Sequence, residues 1–184
     1  MDAKRSTGEL LVGAASEEFR AHGFLGTDTN KIARRAGFAP QTFYRWYEDK
    51  IEVFIKVYEY WARLEADSTQ ALLARHASNA QVAEAITAHH KAYLKFRRSL
   101  RLLALEHPRV RAARAETRRG QIASVVALQG AHALPAPRIA AALLVMERLA
   151  DALAEDELVD MGVDPAGVAE ELARLVGGLR TPME

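Results

Sequence analysis

Cysteine is absent from this chain, and disulfides, thiolate metal sites and cysteine nucleophiles are excluded with it. No apolar run reaches the roughly eighteen residues of a membrane span. The N-terminal MDAKRSTGEL has no long apolar stretch leading to a small-residue cleavage site, so a cytoplasmic protein with no membrane partner is expected. An excess of one charge is also missing: 25 Lys and Arg face 24 Asp and Glu, for a net charge of +1. That balance argues against a polyanion-coating protein but leaves room for a reader that touches DNA with one small surface. Glycine-rich phosphate loops, GxSxG elbows and HExxH pairs are absent, and the adjacent His89 and His90 diverge around a helix. No catalytic residue, metal site, cofactor or enzymatic activity is expected.

What is present is abundant Ala and Leu, few β-branched runs, and six Pro placed near boundaries, which together favour an all-helical chain. The first helix is expected from about Thr7 to His22, with Leu11, Ala15 and Phe19 forming an apolar ridge and Gly23 stopping it. Thr27 is placed to cap a short second helix containing Ile32, Ala33 and Ala36, which Gly37 ends. Pro40 fits the first position of a third helix carrying Gln41, Thr42, Phe43, Tyr44, Arg45 and Trp46. Asp49 caps a fourth helix, with Glu52 as the partner of a capping box, continuing toward Ala66. Further helices are expected at about 79–98, 100–106, 109–133, 136–156 and 165–178, with Pro108, Pro135, Pro137 and Pro165 at their edges.

Two short helices joined through Gly37-Phe38-Ala39 match the needs of a helix-turn-helix, with Phe38 plugging the angle between them. The pattern alone equally suits ordinary core packing. Residues 11–54, however, resemble the N-terminal domain of the tetracycline-repressor (TetR) family of transcriptional regulators. The resemblance is carried by Ala14-Ala15, Phe19, Gly23-Phe24, Thr27, Ile32-Ala33, Ala36-Gly37-Phe38, Thr42-Phe43-Tyr44, Tyr47, Lys50 and Phe54. Five positions depart from the family's habit: Glu18 at an apolar place, Asp28 for a threonine, Ala39 for a capping serine, Gln41 for a glycine and Trp46 for a histidine.

The resemblance implies a fold that is all-α, with a three-helix helix-turn-helix domain over 1–50. A larger helical ligand-sensing and dimerisation domain follows over 51–184, giving about nine helices. Gln41 and Arg45 have the reach to contact base edges, arginine suiting guanine and glutamine adenine. Thr27, Thr42, Tyr44 and Lys50 are the candidate contacts to the DNA backbone, while Lys31, Arg34 and Arg35 suit either that role or solubility. Two readers related by two-fold symmetry would address a palindromic operator, their centres about 34–36 Å apart.

The family's dimer forms through its last two helices, and two apolar stripes occupy that place here. Ile139, Leu143, Met146 and Leu153 lie on one, and Val168, Leu172, Leu175 and Leu179 on the other. Either stripe could instead pack within one chain. The expected effector is small and mostly apolar, with Tyr58, Trp61, His89, Tyr93, Phe96, Leu100, Leu103 and Met146 as candidate pocket residues. Residues 91–119 carry ten bases and two acids, and 147–184 carry three bases and ten acids. These are solvated faces of opposite sign or mutually attracting ones. The reading is a ligand-responsive repressor that binds a palindromic operator as a homodimer. An activator of the same family and a helical interaction protein that has lost DNA binding are the alternatives.

Overall fold

The computed structural model describes residues 6–180, and among them every regular element is a helix. In chain order these are α1 (Thr7–His22), α2 (Thr29–Arg35), α3 (Pro40–Phe43), α4 (Lys50–Ala74), α5 (Asn79–Ala92), α6 (Leu94–Glu106) and α7 (Pro108–Gln129). After a 3₁₀ turn, Gly130–His132, come α8 (Ala136–Ala154), the single-turn α9 (Glu157–Asp160) and α10 (Pro165–Arg180).

Local chemistry explains most boundaries. Ser6 and Glu9 form a reciprocal capping box at the start of α1: Glu9 N–H donates to Ser6 Oγ at 3.2 Å, and Ser6 N–H to Glu9 Oε2 at 2.7 Å. Gly23 ends α1 at φ +68° and ψ −178°, a conformation essentially reserved for glycine. The cap of α2 is Asp28 rather than the expected Thr27. Its Oδ1 accepts from Lys31 N–H at 2.8 Å, because the helix starts one residue later and a carboxylate suits that positively polarised end. Asp49 caps α4 as expected, accepting from Glu52 N–H at 2.7 Å, while the Glu52 carboxylate accepts from Glu48 N–H.

Three boundaries differ from expectation. α4 runs on to Ala74, since nothing between Ala66 and Ala74 breaks a helix. The break expected near residue 99 lies at Tyr93, and Ser99 stays helical by donating to Lys95 O while accepting from Phe24 N–H at 2.9 Å. The third helix ends at Phe43 and passes into a turn over 44–46. Ala39 offers no side-chain cap there, and the i→i+3 bonds from Arg45 to Thr42 and from Trp46 to Phe43 tighten the chain.

The chain forms two compact units. The first comprises residues up to Arg63 together with Tyr93–Arg114; the second comprises Leu64–Ala92 and the residues from Ala115 on. The first half of α4 and all of α6 thus pack with the three N-terminal helices. The first unit's core gathers Leu11, Phe19, Ile32, Phe43, Phe54 and Phe96, all fully buried. Phe54 stacks edge-on to Phe19 with centroids 5.1 Å apart and tilts against Phe96 at 4.9 Å. The second unit's core is Val82 and Ala83 from α5, Ile139, Met146 and Ala150 from α8, and Leu172, Val176 and Leu179 from α10.

Candidate nucleic-acid interface

The reader is assembled around one anchor. Phe43 is fully buried, with the rings of Tyr44 and Tyr47 at 5.4 and 5.7 Å. With α3 only one turn long, fixing that single side chain orients the rest. Gln41, Tyr44, Arg45 and Trp46 are exposed, and Thr42 is half-buried. Gly37, at φ +81°, supplies the reversal between α2 and α3, and Phe38 N–H closes it on Ala33 O at 2.9 Å. Two extended donors, Gln41 and Arg45, thus stand on an outward surface set rigidly by the core.

The candidate backbone contacts divide. Tyr44 is 60% exposed, and its hydroxyl lies 3.0 Å from Thr29 Oγ1, which steadies the ring at the surface. Thr27 is buried, hydroxyl included, so it does not present that oxygen to a phosphate. Its carbonyl is used internally. Lys50 Nζ donates to Thr27 O at 2.8 Å and to Phe24 O at 2.9 Å, and lies 3.9 Å from the Phe24 ring centroid. Burial pushes the Lys50 pKa below its ordinary value, with Asp28 opposing the shift. Two of the three ammonium protons thus lock the α1–α2 loop to the start of α4.

The unusual Glu18 is explained by pairing. Its nearly buried carboxylate accepts from Arg35 Nε at 2.5 Å and lies 3.3 Å from His22 Nδ1. Arg35 is thereby committed to joining α2 to α1, whereas Lys31 and Arg34 remain exposed with their side chains turned to local carbonyls. A second strut runs from Arg109 Nη1 to Asp49 Oδ2 at 2.7 Å. Burial would raise the Asp49 pKa, but the Glu52 N–H and Arg109 outweigh it and hold the carboxyl below its usual range.

The other candidate sites lie apart. Tyr58, Trp61, Phe96, Leu100 and Leu103 are buried in the first unit with Tyr93 against them, and the Trp61 ring lies 6.2 Å from Tyr58, 6.2 Å from Phe96 and 6.5 Å from Tyr93. Met146 belongs instead to the second unit's core, and His89 to α5. Leu103 also borders a surface groove of about 470 Å³ with Phe24, Leu25 and Leu102. Of the expected dimer stripes, Ile139, Met146, Leu172 and Leu179 are buried within the chain itself, and Leu143, Leu153, Val168 and Leu175 are half-buried. The exposed large apolar residues of this unit are Val126 and Leu128 on α7, Leu144 and Val145 on α8, and Val159, Met161 and Val163 beyond it.

Sequence reasoning missed a buried polar cluster in the second unit. His90 Nδ1 lies 2.9 Å from Asp151 Oδ1, and its Nε2 lies 3.2 Å from Glu65 Oε1. The three residues sit on three helices far apart in the chain, so no spacing rule joins them. No group of three or more His, Asp or Glu among the described residues is arranged to hold a metal ion. No helix among them is long and apolar enough to cross a membrane.

Comparison with known proteins bears on this surface directly. Residues 11–57 match the family described as bacterial regulatory proteins, tetR family. Among curated proteins the sequence has no match. The fold is similar to that of a TetR-family transcriptional regulator from Rhodococcus sp., with TM-score 0.71 and 12% identity over 95% of this chain and 98% of the other. It is also similar to the fatty acid degradation regulator FadR of Bacillus halodurans, with TM-score 0.64 and 15% identity over 95% and 96%. The transcriptional regulator FadR of Bacillus subtilis, solved in complex with stearoyl-CoA, aligns with TM-score 0.54 and 16% identity over 91% and 96%.

Proposed function

We propose that the chain is a transcriptional regulator of the tetR family, a ligand-responsive repressor binding a palindromic operator as a homodimer, a reading that the match of residues 11–57 supports. One observation carries this reading: a one-turn helix anchored by buried Phe43 presents Gln41 and Arg45 outward, flanked by exposed Tyr44 and half-buried Lys50. Gln41 and Arg45 read base edges, while Thr42, Tyr44 and Lys50 hold the backbone. The matched family is one of regulators rather than catalysts, in keeping with a protein that is not an enzyme.

The reader covers few bases, so specificity calls for two copies. With much of the expected stripe used inside the chain, the outward face of α8 around Leu144 and Val145 is the dimer surface we favour, with half-buried Leu143 and Leu175 at its margin. The effector class is small and mostly apolar. Two similar regulators are a fatty acid degradation regulator and a stearoyl-CoA complex, and the aromatic cluster of Tyr58, Trp61, Tyr93 and Phe96 suits such a ligand once its rings part. An effector acts only through unequal affinity for the DNA-binding and non-binding states.

The test is a mobility shift on the DNA upstream of the protein's own coding sequence, combined with sedimentation. A retarded, salt-sensitive complex and a dimeric mass are expected, and Leu144→Glu should give monomers that no longer shift the palindrome. Arg45→Ala should relax sequence preference by about 1–3 kcal/mol at one base pair. A wild-type chain that ignores every duplex at low ionic strength would sink the reading.

A further inference from the structure

Beyond the reader's polar side chains, Trp46 stands half in solvent just past the end of α3. It is 49% exposed, whereas the second of the chain's two tryptophans, Trp61, is buried. Its benzo ring is seated on Gly8 in the first turn of α1. A Cβ at residue 8 would stand 2.7 Å from Trp46 Cε3, 3.1 Å from Cζ3 and 3.4 Å from Cδ2. Those atoms belong to the six-membered ring, so it is the apolar end of the indole, and not Nε1, that comes nearest to Gly8. Among the described residues that N–H meets no acceptor. The Tyr47 hydroxyl donates to the Gly8 carbonyl at 2.9 Å. Two consecutive aromatics therefore clasp one residue of α1, which must be glycine for the indole to come so close.

We propose that the Trp46 indole N–H donates to a phosphate of the DNA backbone, and that Gly8 is a positioning residue that sets how far the ring projects. This rests on the DNA-binding reading above. The arrangement suits an amphipathic ring with an apolar body pinned to the protein and a polar tip free to meet a ligand. Indole is a donor only, which fits a phosphate oxygen, and a neutral donor releases no counterion of its own. Removing it lowers affinity without changing the salt slope or the sequence preference, unlike removal of a lysine or arginine. Alanine at residue 8 improves helix propensity, so a loss of DNA affinity there has an origin other than a weaker α1.

The experiment uses the full chain, a duplex that the wild type selects from a randomised pool, and a scrambled duplex. Affinity is measured by fluorescence anisotropy across a salt series for wild type, Trp46→Phe and Gly8→Ala, with intrinsic emission recorded in parallel. Trp46→Phe is expected to weaken both duplexes about tenfold, the scale of one hydrogen bond to a charged group, with the salt slope unchanged. Gly8→Ala is expected to weaken both as well, with a shifted Trp46 emission and unchanged helical circular dichroism. In the wild type, DNA should alter the emission, and in Trp46→Phe that response should vanish, leaving buried Trp61 alone. A selected duplex bound equally by wild type and Trp46→Phe would overturn the phosphate contact, and Gly8→Ala binding like wild type would overturn the seat. A wild type that selects no duplex would remove the DNA-binding premise, and this proposal with it.

Discussion

Replacing Arg35 tests why a carboxylate can occupy an apolar position of the first helix. Glu18 has a side chain 7% exposed, and Arg35, 45% exposed, comes within 2.5 Å of it across the α1–α2 contact. A pair wholly in solvent contributes about 0–1 kcal/mol, and breaking a fully buried pair costs about 3–5 kcal/mol. With one partner buried and the other half in water, the coupling belongs between them, at about 2 kcal/mol. His22, 3.3 Å from the same carboxylate and half exposed, replaces only part of it. Arg35→Met should therefore lower the melting temperature by about 4–8 °C, using about 2–4 °C per kcal/mol for a protein of this size. Glu18→Leu should cost less, because an apolar side chain suits the site, and Glu18→Leu/Arg35→Met should be more stable than Arg35→Met alone. Urea unfolding of the four proteins closes the cycle. Additivity within about 0.5 kcal/mol would refute the account and make Glu18 a tolerated buried carboxylate whose partner is incidental.

Other perturbations separate anchor, strut and fold. Phe43→Ala empties a fully buried ring site and should cost about 3–5 kcal/mol while abolishing the DNA mobility shift; retained binding at near-native stability would remove its role as anchor. The Asp49 carboxyl is held below its usual range when folded, so it contributes stability above the unfolded carboxyl pKa of about 4, and that contribution disappears as pH falls through the folded value. Arg109→Ala should flatten this acid limb of a urea-midpoint-versus-pH profile. The effect should stay below about 1 kcal/mol because both side chains are over two-fifths exposed.

The extent to which the chain announces its structure varies with the range of the interaction. α1 lies at Thr7–His22 as its apolar ridge and Gly23 indicate, and the Asp49 cap is found where expected, because both depend on neighbours in sequence. The Ser6–Glu9 box was equally local and available to reading, as an S-x-x-E pattern. Thr27 and Asp28 compete for one cap, and which wins depends on where the chain leaves Lys50's grip on residues 24 and 27, a contact across more than twenty positions. Glu18 was visible as an anomaly, but its partner on another helix was not. The stripe of Ile139, Met146, Leu172 and Leu179 shows the limit of periodicity. It identifies an apolar face without saying whether its own chain or a partner covers it, and here its own chain does. His90, Glu65 and Asp151 have no sequence signature, since only the packing of three distant helices brings them together.

A recognition element of four helical residues has no independent existence. Excised as a peptide it lies far below the length at which water tolerates an isolated helix. Its shape is borrowed through one phenyl ring from the surrounding bundle. A change of operator preference is therefore most economically made by exchanging the outward residues at 41 and 45 on an untouched scaffold. Transplanting the segment into another protein would carry the letters of the code without the hand that holds them.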